Sequence, residues 1–249
     1  MRSHRSIFTR LKQLVHRKSS TPSESTEATR RRRLAERYLE GEGIEIGALN
    51  RPLPTPPGAR VRYVDRMDAQ GLSEHYPEIP QATMVPIHVI DDGERLKTFA
   101  DESLDFMIAN HFLEHCEDPI GAVATFLRVL RRGGVVYLAV PDKRYTFDRP
   151  REETTFDHVL ADWREGPERS RRKHYEEWIR IIHEVKDDAW AENRIRHYMN
   201  MRYSIHFHAW TRGGLEVFFD RLRRELNFPM RIECIQPNGE ECILILRKA

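Results

Sequence analysis

The sequence has few cysteines and no long apolar run. Its three cysteines, Cys116, Cys234 and Cys242, are too few and too scattered for a disulfide framework or a Cys-x-x-Cys metal site. No segment approaches the roughly 20 consecutive apolar residues of a membrane-spanning helix, and the first residues lack the apolar core of a secretory signal. We therefore expect a cytoplasmic protein with reduced thiols.

The chain also lacks a large net charge, but its charges are unevenly distributed. The 249 residues carry a formal net charge of +2, from 41 Lys and Arg against 39 Asp and Glu. Residues 1–37 hold 11 basic and three acidic side chains, a local +8, so the remaining 212 residues carry −6. Because 39% of all residues are hydrophobic, the acidic remainder can still form a globular core.

The basic N-terminal segment has three interpretations. Between residues 5 and 18, apolar side chains recur at helical spacing and basic side chains occupy the other face, as in a helix that lies on an anionic membrane. A solvated arm fits equally well, and in a eukaryote the segment would read as a mitochondrial transit peptide. The single aromatic residue, Phe8, and the acidic body disfavour nucleic acid. Residues 19–29 lack apolar periodicity, so we place a disordered arm at 1–27 and a folded domain at 28–249.

Strand and helix patterns alternate through the body. Helices are predicted at 30–40 and 119–131, the second ended by Gly133 and Gly134. Strands are predicted at 43–48, 60–64, 85–90, 103–109, 135–140, 230–235 and 241–246. This alternation predicts an α/β fold with a doubly wound, mostly parallel sheet, and the turn at Pro237, Asn238 and Gly239 predicts a closing antiparallel hairpin.

The order of motifs resembles that of class I S-adenosylmethionine-dependent methyltransferases. Three runs carry the resemblance: Gly-Ile-Glu-Ile-Gly-Ala-Leu at 43–49, Ser-Leu-Asp-Phe followed by Leu-Glu-His between 103 and 115, and Arg-Val-Leu-Arg-Arg-Gly-Gly at 128–134. The resemblance implies a seven-stranded Rossmann-like sheet with an antiparallel last strand, and S-adenosyl-L-methionine as cofactor. In the first loop, Leu49 and Arg51 replace the usual second and third glycines, which keeps a non-catalytic scaffold open as an alternative.

The resemblance also implies six cofactor-binding residues at the ends of the first four strands: Glu45, Gly47, Ala48, Asp65, Asp92 and Asn110. Gly47 would let the backbone approach the cofactor, and Asp65 would accept hydrogen bonds from the two ribose hydroxyls. Asp92 would bind the adenine amine. Each aspartate has a plainer alternative, since Asp65 could cap the following segment and Asp92 could belong to an ordinary Asp-Gly turn.

Methyl transfer to a hydroxyl needs a general base, because an alcohol is a poor nucleophile at neutral pH. His111, directly after the fourth strand, is the first candidate, and Asp142 and His208 are further ones. Each histidine taken singly is more often structural, and Asp142 could instead cap its loop. No metal-ligand spacing stands out among the acidic and histidine residues, so we expect no required metal.

Residues 143–205 form an insertion after the fifth strand, with a helical pattern over 170–199. Its position predicts a lid that shapes the acceptor pocket, and its aromatic residues beside Arg, Asp and His suit a carbohydrate. The Glu-Ile-Gly-Ala-Leu loop and the Lys-Arg-Tyr-Thr-Phe-Asp segment at 143–148 are similar to bacterial methyltransferases that accompany glycan-building enzymes. We therefore expect O-methylation of a saccharide or glycan acceptor, with a small-molecule or quinone-type acceptor as the alternative.

Overall fold

A computed structural model describes residues 25–249, in which seven strands form one sheet. The strands are β1 (Gly41–Ile46), β2 (Ala59–Asp65), β3 (Val89–Ile90), β4 (Leu104–Asn110), β5 (Leu130–Pro141), β6 (Met230–Asn238) and β7 (Glu241–Lys248). Their order in the sheet is β3-β2-β1-β4-β5-β7-β6. Strands β1 to β5 are parallel, and β7 runs antiparallel to both of its neighbours. The predicted doubly wound, mostly parallel seven-stranded sheet with a Rossmann-like methyltransferase topology is confirmed.

Seven α-helices accompany the sheet within the same residues. They are α1 (Thr26–Tyr38), α2 (Ala69–His75), α3 (Pro119–Val129), α4 (Phe156–Glu165), α5 (Glu168–Glu177), α6 (Asp188–Met201) and α7 (Arg212–Glu225). Most begin after a Ser, Thr or Asp side chain that accepts a hydrogen bond from the first helical turn, which satisfies an otherwise unpaired backbone N–H. Among the described helices, none has both the length and the apolar character to cross a membrane.

The sheet buries both of its faces because side chains alternate along each strand. In β5, Val136, Leu138 and Val140 face the core that α3, α4 and α7 cover. Val135 and Tyr137 face the opposite core, which α1 covers through Leu34 and Ala35, together with Leu39 directly after the helix. The continuous apolar run of this strand therefore reflects burial on both sides.

The start of the folded region differs from the prediction. Disorder through Thr29 is wrong for the described residues, because α1 begins at Thr26 and Ser25 Oγ accepts a 3.1 Å hydrogen bond from Ala28 N. Residues 1–24, with the amphipathic segment 5–18, lie outside the described residues.

The strand predicted at 85–90 is reduced to two residues, since Pro86 has no N–H to donate to a ladder.

The two glycines expected to end a helix lie inside a strand. Helix α3 ends at Val129, and Leu130 already pairs with Leu104 in the sheet. Gly133, with a φ of +81°, lies in the irregular stretch of β5 that precedes its regular pairing from Val135 onward. The Gly-Gly pair therefore permits a bulge rather than a helix end.

The insertion after β5 divides between two cores. Helix α4 packs on the main core through Phe156 and Val159. Helices α5 and α6 build a separate aromatic core around Trp178. The helix predicted over 170–199 is interrupted, because a π-helical turn, Trp178–Ile182, follows α5 and Asp187 caps the start of α6.

Candidate active site

Polar residues line the edge of the sheet where the parallel strands end. Strands β2, β1, β4 and β5 are consecutive neighbours, so their carboxyl ends form one continuous edge. Backbone hydrogen bonds extend this edge beyond the strands: Gly47 N donates to Val64 O at 3.0 Å, and His111 N donates to Ala139 O at 2.7 Å. In doubly wound sheets, ligands bind at this edge, where the strand order reverses between β1 and β4.

Glu45 holds the first loop in place. Its two carboxylate oxygens lie 3.0 and 3.1 Å from Leu53 N, which donates to them, and its side chain is buried. Burial raises the pKa of Glu45 to about 8, against the opposing effects of that hydrogen bond and of Arg31. The geometry therefore assigns Glu45 to closing the loop, whereas the sequence suggested direct contact with the cofactor.

The loop after β1 turns sharply at Gly47. Gly47 has a φ of +65°, and a Cβ atom at this position would meet no atom within 4 Å. The next residues form a turn in which Arg51 N donates to Ala48 O at 2.9 Å, and Leu49 adopts a φ of +49°. The open space beside Gly47 permits close approach of a ligand to the backbone, even though the later glycines are replaced.

Asp65 ends β2 with its carboxylate largely buried. Burial raises its pKa, and one hydrogen bond from Arg66 N at 2.8 Å offsets part of this effect. One carboxylate oxygen is thus left to accept hydrogen bonds from a diol. Asp65 caps no helix, since Asp68 is the cap of α2.

The two aspartates of the Asp-Asp-Gly turn after β3 have different partners. Asp91 accepts hydrogen bonds from Thr98 N and Thr98 Oγ1 and so closes the turn. Asp92 is exposed; its Oδ1 accepts a 2.9 Å hydrogen bond from Glu94 N within the turn, and its Oδ2 lies 3.5 Å from Arg95 Nε. A Cβ atom at Gly93 would lie 2.6 Å from Phe112 and 2.7 Å from Ile46, so only glycine fits there. Only Oδ2 of Asp92 therefore remains available to a ligand.

Asn110 ends β4 with an amide that has no internal partner. Both Oδ1 and Nδ2 are buried, and neither makes a hydrogen bond within residues 25–249. A buried amide without a partner is costly, so a bound ligand is the natural source of its hydrogen bonds. The unpaired amide of Asn110, the open space beside Gly47 and the buried carboxylate of Asp65 together suit the binding of S-adenosylmethionine at the sheet edge.

His111 follows β4 in a left-handed conformation with a φ of +51°. Its Nε2 lies 2.7 Å from Oε2 of Glu241, the first residue of β7, and its Nδ1 lies 3.7 Å from Oε1 of Glu114. Desolvation would lower the pKa of His111, but the hydrogen bond to Glu241 and the charges of both carboxylates outweigh it and raise that pKa.

Glu241 is a junction of hydrogen bonds from distant parts of the chain. Arg31 of α1 donates to both of its oxygens, and Asn238 Nδ2 donates to Oε1 at 2.6 Å. Burial alone would raise the pKa of Glu241, but hydrogen bonds from Arg31 and His111 outweigh it and hold the pKa at about 2. Glu241 is therefore ionised at neutral pH.

Glu114 is buried beside His111 without a donor from another residue in the described part of the chain. Burial raises its pKa, and the nearby His111 and His206 lower it by a smaller amount. Sequence reasoning did not select Glu114 or Glu241. Glu114 lies in the Leu-Glu-His run, which offered a signal, whereas Glu241 is 130 residues from its partner and offered none.

Both carboxylate oxygens of Asp142 already accept hydrogen bonds within the protein. Its Oδ1 accepts from Arg144 Nε at 2.9 Å and its Oδ2 from Arg144 Nη2 at 2.6 Å, and Arg212 N also donates to Oδ2. Burial would raise its pKa, but the contacts with Arg144 outweigh it and lower the pKa. This geometry favours a structural cap over the predicted general base.

His208 lies away from His111. It is fully buried, and its ring contacts those of His158, His174 and Trp210, but not that of His111, among the described residues. The structure therefore brings Asn110 and His111 together at the sheet edge and separates His208 from them. A surface groove of about 390 Å³ between α1 and β6 contains none of these residues.

Comparisons with known proteins agree with this architecture. Residues 43–138 match the family model described as a methyltransferase domain. None of the curated proteins matches the chain in sequence.

Among solved structures, a Rhodobacter sphaeroides protein with a provisional assignment as a Zn-dependent alcohol dehydrogenase aligns with a TM-score of 0.53 at 13% identity, over 91% of this chain and 90% of that one. At this identity the likeness concerns the fold alone.

Two further structures are SAM-dependent methyltransferases. The Thermotoga maritima protein has a TM-score of 0.45 at 16% identity, over 89% of this chain and 92% of its own. The Aquifex aeolicus protein has a TM-score of 0.43 at 7% identity, over 84% and 82%. Residues 43–138 thus match a methyltransferase domain in sequence, within a chain that has a Rossmann-like seven-stranded sheet. This match indicates S-adenosylmethionine as the cofactor.

Proposed function

We propose that this protein transfers a methyl group from S-adenosylmethionine to a hydroxyl group of a saccharide or glycan, with His111 as the general base. The observation that carries the proposal is the pair of His111 and Glu241, 2.7 Å apart at the carboxyl edge of the sheet. A histidine oriented by a carboxylate is an arrangement suited to proton abstraction from a weak nucleophile.

The hydrogen-bond chemistry assigns a role to each ring nitrogen of His111. Glu241 is ionised near neutral pH, so it can only accept a hydrogen bond. Nε2 of His111 therefore carries the proton, and Nδ1 presents its lone pair on the side of Glu114. The tautomer that a general base requires follows from the contact with Glu241.

S-adenosylmethionine, when bound, supplies an electrophilic methyl group on a positively charged sulfur. Asp65, Asp92 and Asn110 would hold it beside the loop at Gly47. His111 would accept the hydroxyl proton at Nδ1, which converts the acceptor oxygen into a better nucleophile. The imidazolium ring so formed lies against the Glu241 carboxylate, which stabilises its charge.

A polyhydroxylated acceptor suits the surroundings of His111. Glu114, beside His111, has buried carboxylate oxygens without internal partners in the described part of the chain. Tyr145, just beyond β5, is 58% exposed and offers an aromatic face. By contrast, Tyr175, Trp178 and other aromatic side chains of the insertion pack into their own core, which disfavours an enclosed pocket for an apolar ring.

The test uses methyl-labelled S-adenosylmethionine with separated glycan and lipid fractions of cell extract. We expect label in the glycan fraction, in a bond that is stable as an ether. His111→Gln should lower the labelling rate by about 100-fold or more, a typical loss for a general base, and leave cofactor affinity in calorimetry unchanged. Replacement of the exposed His197 by Gln is the matched control and should change neither quantity.

Other outcomes identify the alternatives. Label confined to the lipid fraction would support a small-molecule or quinone-type acceptor. Absence of both cofactor binding and thermal stabilisation by cofactor would support a non-catalytic scaffold, because a tight ligand stabilises a protein by several kcal/mol at saturation.

A further inference from the structure

Three histidines from separate segments meet on the side of the main core. His158 lies on α4, His174 on α5, and His208 on the segment that leads into α7. Nε2 of His158 lies 3.1 Å from Nε2 of His174, and one ring nitrogen from each histidine lies within 4.8 Å of the other two. The ring centroids are 5.0, 5.2 and 5.9 Å apart.

We propose that His158, His174 and His208 bind a transition-metal ion of the zinc class. Zinc binds imidazole nitrogens at about 2.0–2.1 Å, so two such nitrogens around a tetrahedral ion lie about 3.4 Å apart. The distance between His158 and His174 is close to this value, and the remaining pairs need to shorten by no more than about 1.4 Å. Three neutral imidazoles form a donor set that suits zinc, copper or nickel.

His208 is the member that most requires a ligand. It is 0% exposed, and neither ring nitrogen makes a hydrogen bond of normal geometry within the described residues. A hydrogen bond between His158 and His174 would explain their contact but would leave His208 unsatisfied.

A carboxylate beside the cluster supplies negative charge. Asp162 lies one helical turn after His158, and its Oδ2 is 3.3 Å from His158 Nε2. Ser170 Oγ donates to the same oxygen at 2.7 Å, whereas Oδ1 has only Arg169 within 3.6 Å. Because Asp162 approaches the same nitrogen of His158 that faces His174, it is placed to serve as a fourth ligand.

An ion at this place would tie the insertion to the catalytic edge. Helices α4 and α5 would be joined to the segment of His208, whose backbone N donates to Glu114 O at 3.2 Å. The proposal reverses the expectation that no metal is needed. The spacing of 16 and 34 residues between the three histidines matches no ligand motif, so only the fold brings them together.

The test measures metal in the full-length protein, produced without a histidine tag and with zinc in the growth medium. We expect about one equivalent of zinc by mass spectrometry, and visible tetrahedral absorption bands after replacement of zinc by cobalt. His158→Ala and His174→Ala should each lose the zinc and the cobalt bands. His197→Ala, at an exposed position on α6, should keep both.

Two further measurements test whether the variants fold and where the ion binds. His158 is partly exposed, so His158→Ala should retain the circular dichroism of the native fold. His208 is fully buried, so its replacement is more disruptive to folding and is not used as the test. A wild-type protein that binds neither zinc nor cobalt would overturn the proposal. So would zinc that persists in His158→Ala but is lost in His206→Ala, because it would place the ion at Glu114, His115 and His206.

Discussion

Nε2 of His111 lies 2.7 Å from Oε2 of Glu241, although 130 residues separate the two in the chain. The contact joins the end of β4 to the start of β7. Arg31 donates to Glu241 from the other side, so α1, β4 and β7 share one hydrogen-bond network. The network explains both the orientation of His111 and its raised pKa.

Glu241→Gln should shift the pH dependence of turnover. In the proposed mechanism the neutral form of His111 accepts the proton, so activity should fall as pH decreases through its pKa. Because Glu241 raises that pKa, its replacement should move the acid limb of the kcat profile to lower pH and reduce maximal kcat by about 10-fold. Glu240→Gln, an exposed neighbour, is the control. An acid limb at the same pH in Glu241→Gln would show that Glu241 does not set the pKa of the base.

Asp65→Asn should weaken cofactor binding. The substitution removes a buried carboxylate that has only one internal donor, Arg66 N. Hydrogen bonds to a charged group contribute about 1.5–3 kcal/mol, which corresponds to a loss of about 10- to 100-fold in affinity. Calorimetry with S-adenosylmethionine measures this loss, and Asp101→Asn at an exposed ion pair should have no effect. Equal affinity in Asp65→Asn and the wild type would refute the ribose assignment.

Glu45→Gln should stabilise the protein at alkaline pH. Between about pH 4.5 and 8, folded Glu45 keeps a proton that the unfolded chain releases, so the free energy of unfolding decreases as pH rises. Glutamine can still accept the hydrogen bond from Leu53 N but cannot ionise. We expect a gain of about 1–3 kcal/mol at pH 8 and little change at pH 4.5.

Urea unfolding of Glu45→Gln at the two pH values measures this gain. Exposed Glu40→Gln is the control and should follow the wild type at both. A stability difference that is the same at pH 4.5 and pH 8 would contradict the raised pKa of Glu45.

Gly93→Ala should destabilise the turn that carries Asp92. Its Cβ would lie 2.6 Å from Phe112 Cζ and 2.7 Å from Ile46 Cγ2, so the packed side chains would have to move. Such overpacking costs about 1–3 kcal/mol. Gly213→Ala, in the first turn of α7, meets only Thr211 Oγ1 at 3.7 Å and should be neutral or slightly stabilising in thermal unfolding. Similar melting temperatures for the two variants would argue against the steric requirement at Gly93.

Much of the site edge was predictable because it depends on local patterns. The apolar run of β5 indicated a strand buried on both faces, and the structure confirms this burial. Once parallel strands were inferred, Asp65 and Asn110 had to lie at the same edge, since both follow the ends of such strands. The roles of Glu45 and Asp142 were less predictable, because whether a carboxylate binds a ligand or a backbone N–H depends on where the chain turns next.

The sequence by itself determined the fold class and most of the strands, because side-chain periodicity and turn residues act over a few positions. Only the tertiary structure decided the pairing of His111 with Glu241 and the meeting of His158, His174 and His208. These contacts join residues that are 16 to 130 positions apart. Their geometry depends on how the helices and strands pack, and no local pattern encodes it.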